Sequence, residues 1–187
     1  DGRPPRRLLR PRPPVNPLLV NAAELLRRPG NQKDVVLDVG LVDLGVEGDQ
    51  RFPAAAQVAI DLHLEALSDG IVVDGSVTVP WVGQCRRCLV DVSGESVSDV
   101  HELYQRVITD PDAFEIVGEQ IDLGPVAREA VLLDTPSTPV CRPDCAGLCP
   151  TCGIDLNDGQ CECAGPPADP RWAALDILRS EGSGTES

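Results

Sequence analysis

No methionine occurs in this sequence, lysine occurs once, at position 33, and the aromatic side chains are five: Phe52, Trp81, Tyr104, Phe114 and Trp172. A core built from this chain must therefore be aliphatic. No apolar run approaches the roughly 18 residues needed to span a bilayer, which excludes a helical membrane anchor. The Arg- and Pro-rich N-terminus has no apolar h-region, so it does not read as a secretory signal, and the expected setting is the cytoplasm. The nucleotide and nucleophile signatures GxxxxGK[ST], GxGxxG, GxSxG and HExxH are all missing. The 30 acidic residues show no spacing that singles out a catalytic carboxylate pair. Histidine is confined to His63 and His101, too few to suggest an imidazole-based metal enzyme.

What is present is size for one domain with an appendage, 187 residues, and 42% hydrophobic residues, enough for a modest core. Glycine and proline are both raised, at 17 and 18, yet short of the fraction that marks a wholly disordered chain. The net charge of −14 is unevenly placed. Residues 1–33 hold eight basic against two acidic side chains, and the remainder holds eight basic against 28 acidic ones. A basic arm on an acidic body suggests two kinds of partner. Arg3, Arg6, Arg7, Arg10 and Arg12 are the candidate nucleic-acid contacts, while the acidic body would attract basic protein or serve only solubility.

The pattern along the chain predicts four segments. Residues 1–14 form a disordered or polyproline-like basic arm, 15–140 a β-rich domain with short helices, 141–165 a cysteine segment, and 166–187 a C-terminal helix with a disordered tail. A short helix is expected after Asn21, with Glu24 completing a capping box and Pro29-Gly30 ending it. Val35, Leu37 and Val39 alternate. Val58, Ile60, Leu62, Leu64 and Ala66 then alternate with polar neighbours, as do Ile71, Val73, Val77, Val79 and Trp81. Ser68-Asp69-Gly70 between the last two runs makes them an antiparallel hairpin. A further strand is expected at 89–93 with Gly94 as bulge or turn. In residues 100–108, Val100, Leu103, Tyr104, Val107 and Ile108 fit a helix, with a continuing strand as the alternative. Asp122 and Pro125 open a helix over 122–134 with Val126, Ala130 and Leu133 on one face. A last helix starts at Asp169-Pro170 with Trp172, Leu175 and Leu178 on its stripe. The fold class is α+β, mainly an antiparallel sheet with short helices and a C-terminal zinc-binding segment.

Eight cysteines stand as Cys85-x2-Cys88, Cys141-x3-Cys145, Cys149-x2-Cys152 and Cys161-x-Cys163. In a reducing compartment such close pairs point to metal ligation rather than disulfides. Zinc takes four thiolates tetrahedrally, and eight ligands divide into two structural sites. Keeping neighbours together gives Cys149, Cys152, Cys161 and Cys163 one local ion. Cys85 and Cys88 then share the other with Cys141 and Cys145. A single site from Cys145, Cys149, Cys152 and Cys161 is the alternative. A redox reading of Cys85-Arg86-Arg87-Cys88 would need a βαβ setting, which the flanking hairpin does not supply.

The stretch Cys141-Arg-Pro-Asp-Cys-Ala-Gly-Leu-Cys-Pro-Thr-Cys-Gly153, with Asp155-Leu156-Asn157 and Cys161-Glu-Cys163, resembles the C-terminal signature of the YceD family. Members of that family are called large ribosomal RNA subunit accumulation proteins. Gly83-Gln84-Cys85-Arg86-Arg87-Cys88-Leu89, Ile121-Asp122-Leu123 and Asp169-Pro170-Arg171-Trp172 follow in the family's order. The resemblance covers roughly 35–179 and leaves the basic start outside. It implies a part in accumulation of 23S rRNA and assembly of the large ribosomal subunit, with the cysteines as metal ligands. The expected partners are a large-subunit precursor, 23S rRNA or a basic ribosomal protein, with no membrane and no small-molecule substrate. The competing classes are a zinc- or thiol-dependent enzyme and a zinc-stabilised interaction adaptor unrelated to ribosomes.

Overall fold

Period-two alternation builds the centre of this protein. The computed structural model describes residues 16–164 together with Asp169 and Arg171. Its strands are β1 (Leu19–Asn21), β2 (Gln32–Gly40), β3 (Gln57–Ala66), β4 (Gly70–Gln84), β5 (Asp91–Gln105), β6 (Phe114–Glu115) and β7 (Gln120–Asp122), and its helix is α1 (Gly124–Asp134). Strands β2-β3-β4-β5-β6 form a sheet in that order, and β1 pairs with β7 apart from it. The β2–β3 and β3–β4 pairs are antiparallel, while β5–β6 is parallel. The class is α+β.

The chain divides into two units, Asp1–Gly83 with Asp91–Pro139, and Gln84–Val90 with Val140–Ser187. The first unit owns the hydrophobic core. Val58, Ile60, Leu62 and Leu64 of β3 and Ile71, Val73, Val77 and Val79 of β4 are buried in it, and Trp81 is half-buried. Helix α1 adds Val126, Ala127 and Val131. Ser96 and Ser98, buried in β5, donate to the Asp134 and Ala130 carbonyls of that helix, so two polar side chains enter the core with partners. Tyr104, at the end of β5, stacks on Phe114 of β6 and donates its hydroxyl to the Asp122 carbonyl of β7 at 2.8 Å.

Several sequence expectations change. In place of the helix expected after Asn21 there is one 3-10 turn at Leu25–Arg27, and Asn21 itself is the last residue of strand β1. Asn21 does accept the Ala23 N–H at 2.9 Å, but Pro29-Gly30 leaves no room for a second turn. Residues 91–105 are one continuous strand, with no turn at Gly94. Glycine is required there because a Cβ would lie 2.8 Å from the Trp81 ring of β4. The 100–108 segment is strand as far as Gln105. The buried Gln105 side chain then accepts the N–H groups of Thr109 and Asp110, which fixes a loop where a helix was possible. In α1, Leu133 is 72% exposed and the buried face is Val126, Ala127 and Val131. The expected C-terminal helix and the arginine arm lie outside the described residues, apart from Asp169, whose carboxylate accepts the Arg171 N–H at 3.0 Å.

Candidate metal centres

Each CxxC pair folds into the same backbone knuckle. Cys85 N–H donates to the Val90 carbonyl at 2.8 Å, and Leu89 N–H to the Cys85 carbonyl at 2.9 Å. In the second knuckle Cys149 N–H donates to Ile154 at 2.9 Å, and Gly153 N–H to Cys149 at 2.9 Å. The fourth residue after the first cysteine turns left-handed in both, Leu89 at φ 62° and Gly153 at φ 74°. Gly153 takes that conformation freely, whereas Leu89 takes it against a steric cost.

The eight sulfurs gather as Cys85, Cys88, Cys141 and Cys145 in one group and Cys149, Cys152, Cys161 and Cys163 in another, with each group's ligand atoms within 4.8 Å of one another. Zinc–thiolate bonds of about 2.3 Å in a tetrahedron place sulfurs about 3.8 Å apart. The Cys85–Cys145 and Cys88–Cys141 sulfurs are 3.8 and 3.7 Å apart. Both sets are pure thiolate, matching closed sites rather than catalytic ones that keep an open position.

Side chains that carried no assigned role in the sequence hold the first group together. Arg87, inside the first CxxC, donates to the carbonyls of Pro143 and Cys145, both at 2.9 Å. Leu148 N–H returns to the Arg87 carbonyl at 3.0 Å. Gly147 passes so close that a Cβ would sit 3.0 Å from that same oxygen. Asn157 accepts the Ala146 N–H at 2.8 Å and donates to the Cys145 sulfur at 3.5 Å. The signal for Asn157 was its place in Asp155-Leu156-Asn157, and Arg87 gave none beyond adjacency to Cys88.

The thiols divide in acidity. The Cys88 amide holds Cys85 down at about 6, and the Cys152 amide does the same for Cys149, also about 6. Desolvation followed by the neighbouring sulfurs pushes Cys141 up to about 12. Cys163 is pushed up to about 12 chiefly by the Cys152 sulfur, then by desolvation and Cys161. Four sulfurs so close cannot all ionise without a cation between them, and a divalent soft-accepting ion supplies that charge. Burial points the same way. In the second unit the buried side chains among the described residues are Cys85, Cys88, Cys145 and Cys149, with no aliphatic or aromatic residue beside them. With no buried apolar side chain among the described residues of this unit, metal ligation is a source of folding energy available to them. The donor sets therefore fit two structural zinc ions, which would supply charge neutralisation and cross-linking.

Comparison with known proteins adds the relationship. The large ribosomal RNA subunit accumulation protein YceD family matches residues 73–179, a span that contains all eight cysteines. The chain belongs to the YceD family. It is 37% identical over 191 residues to an uncharacterised protein of Mycobacterium tuberculosis, covering 89% of this chain and 87% of that one. An uncharacterised Mycobacterium leprae protein is 34% identical over 180 residues, covering 88% and 79% of the two chains. The large ribosomal RNA subunit accumulation protein YCED homolog 1, chloroplastic, of Arabidopsis thaliana is 32% identical over 63 residues, covering 34% of this chain and 20% of its own. No solved structure matches. Among the described residues no helix is long and apolar enough to cross a membrane.

Proposed function

We propose that this YceD-family chain is a non-enzymatic ribosome-assembly factor of the cytoplasm, supporting accumulation of 23S rRNA and large-subunit biogenesis, with two structural zinc ions. The observation that carries the reading is the family match, whose own description and whose chloroplast homologue both name large ribosomal RNA subunit accumulation. The site chemistry agrees with it. A thiol enzyme needs an accessible thiolate, yet the two thiols held lowest, Cys85 and Cys149, are buried.

The partner chemistry follows from charge. On the outer face of the sheet, Asp34, Asp38, Asp61, Asp74 and Asp99 reach solvent, and no outward position of β2 to β5 holds lysine or arginine. Such a face attracts cationic protein at long range. In this reading it holds a basic ribosomal protein while Arg3, Arg6, Arg7, Arg10 and Arg12 of the arm contact rRNA, so the two components meet on one carrier. The test is affinity capture of the full chain from cells, with and without nuclease. Large-subunit precursor RNA should be recovered without nuclease, and basic ribosomal proteins should survive its addition. Recovery of neither would refute the reading.

A further inference from the structure

Positive charge is scarce in the first unit, and its placement is informative. Among the described residues of that unit it rests on Arg27, Arg28, Lys33, Arg51, Arg106 and Arg128. Arg51 pairs with Asp49 at 2.8 Å and reaches the Leu132 carbonyl at 3.2 Å. Arg128 donates to the Leu44 carbonyl at 2.7 Å. These two are internal ties. The other four have no carboxylate at ion-pair distance among the described residues. Arg28 donates to the Asn31 side chain and Lys33 to the Asn21 carbonyl, both neutral acceptors that leave the charge uncancelled. In a unit so rich in acid, four exposed cations with no carboxylate at ion-pair distance make a local positive surface.

The same four side chains line two adjoining grooves. One, of about 720 Å³, runs along Asn21, Arg27 and Lys33 at the start of β2. The other, of about 410 Å³, lies over the β3–β4 turn between Arg27, Arg28 and Arg106. Leu25 and Arg27 line both, so the two grooves meet at these side chains. Apolar surface is part of the second groove, where Val107 is 75% exposed and Leu67 is 42% exposed. Two acids, Glu24 in the first groove and Asp69 in the second, leave each with a cationic surplus.

We propose that these linked grooves form a binding track for single-stranded RNA, with Arg27, Arg28, Lys33 and Arg106 on its phosphates. Phosphate contact by Lys and Arg is the sequence-independent part of nucleic-acid affinity, and exposed apolar surface between the cations gives base faces somewhere to rest. Guanidinium groups suit phosphate because their planar donors match its oxygens. In sequence, the groove residues follow the arginine-rich start. Residues 3–12 carry five arginines, the described chain begins at Asn16, and Asn21 at the end of β1 already lines the first groove. The proposal rests on the rRNA contact proposed above and moves part of it from the arm into the folded unit. The acidic sheet face stays with the basic protein, so the two ligands occupy different surfaces.

The experiment measures fluorescence anisotropy of a short labelled single-stranded RNA with the full zinc-loaded chain across a salt series. For the variant R27A/R28A/K33A/R106A, the slope of log affinity against log salt should shrink by about two to three units, since each lost phosphate contact on a single strand accounts for about 0.7. Conversion of Arg27, Arg28 and Arg106 to lysine should keep most of the slope. The variant E24Q/D69N should bind more tightly than the wild type. These last two variants carry the test if the alanine variant melts early. An unchanged slope in the alanine variant, with binding lost when the five arm arginines are replaced by alanine, overturns the groove and leaves the rRNA reading on the arm alone. Absence of RNA binding by the wild-type chain at physiological salt overturns the direct rRNA contact itself.

Discussion

Both histidines of this chain lie in one row of side chains across the outer face of the sheet. The register sets Asp34 of β2 beside His63 of β3, and His63 beside Asp74 of β4. His63 Nδ1 is 2.6 Å from the Asp34 carboxylate, and the His101 ring of β5 bonds Asp74. The Asp34 carboxylate raises the His63 pKa above its usual value, with Glu65 and Asp74 adding to it, and Asp74 does the same for His101. Because the folded pKa is the higher one, the pair stabilises the fold fully below the unfolded value of about 6.5, and that contribution is lost as pH rises through the folded pKa. Asp34→Asn should move the His63 midpoint down towards the ordinary value while leaving His101 high. An NMR titration of the two rings checks this, and an unmoved His63 midpoint would refute the pairing. Residue-scale legibility was uneven. Gly153 could be read as the turn residue of its knuckle, because glycine marks a left-handed position. Leu89 at the equivalent place could not, since nothing in a leucine announces φ 62°.

At the scale of elements, what could be read was whatever repeats with a fixed period. The β3–β4 hairpin follows from alternation because one face is buried and a one-residue slip would expose the whole apolar set. The places where the reading changed are those where a single long-range contact decides. Trp81 demands glycine at position 94, Gln105 ends β5, and pairing with β7 draws Leu19–Asn21 into a strand. Helix α1 was expected from Pro125 and its apolar spacing, but Leu133 points to solvent because Ser96, Ser98 and Val131 define the side that meets β5. Two leucines therefore differ sharply. Leu62→Ala, in a strand paired on both sides and 1% exposed, should cost about 2–5 kcal/mol. Leu133→Ala should change stability by less than about 0.5 kcal/mol. Denaturant unfolding of the two variants measures both, and a costly Leu133→Ala would mean that this helix face is covered.

For the whole molecule, the decisive contrast is between two ways of stabilising a fold. The core of the first unit is mainly aliphatic, leucine, valine and isoleucine with Phe52 and Tyr104 among them, and contains no cysteine among the described residues. Among the described residues of the second, the buried side chains are four cysteines. That contrast was legible as composition, since five aromatics forced an aliphatic core and eight clustered cysteines stood outside the alternating strands. The grouping of the sulfurs is the one that keeping sequence neighbours together gives, whereas Arg87 and Asn157, which tie the first group, are identified by no spacing rule. If metal ligation supplies the folding energy of the second unit, stability there must follow metal and stability in the first must not. The zinc-loaded chain should contain about two ions, with Cys88→Ser removing one and Cys149→Ser the other. A strong chelator should abolish amide protection over residues 140–164 while β3 and β4 stay protected, because their backbone pairing and burial owe nothing to sulfur. Hydrogen exchange read by mass spectrometry, before and after chelation, separates the two. Protection in 140–164 that survives complete metal removal would show that this unit folds without its ions, and would make the tetrathiolate groups ligands of convenience rather than the unit's core.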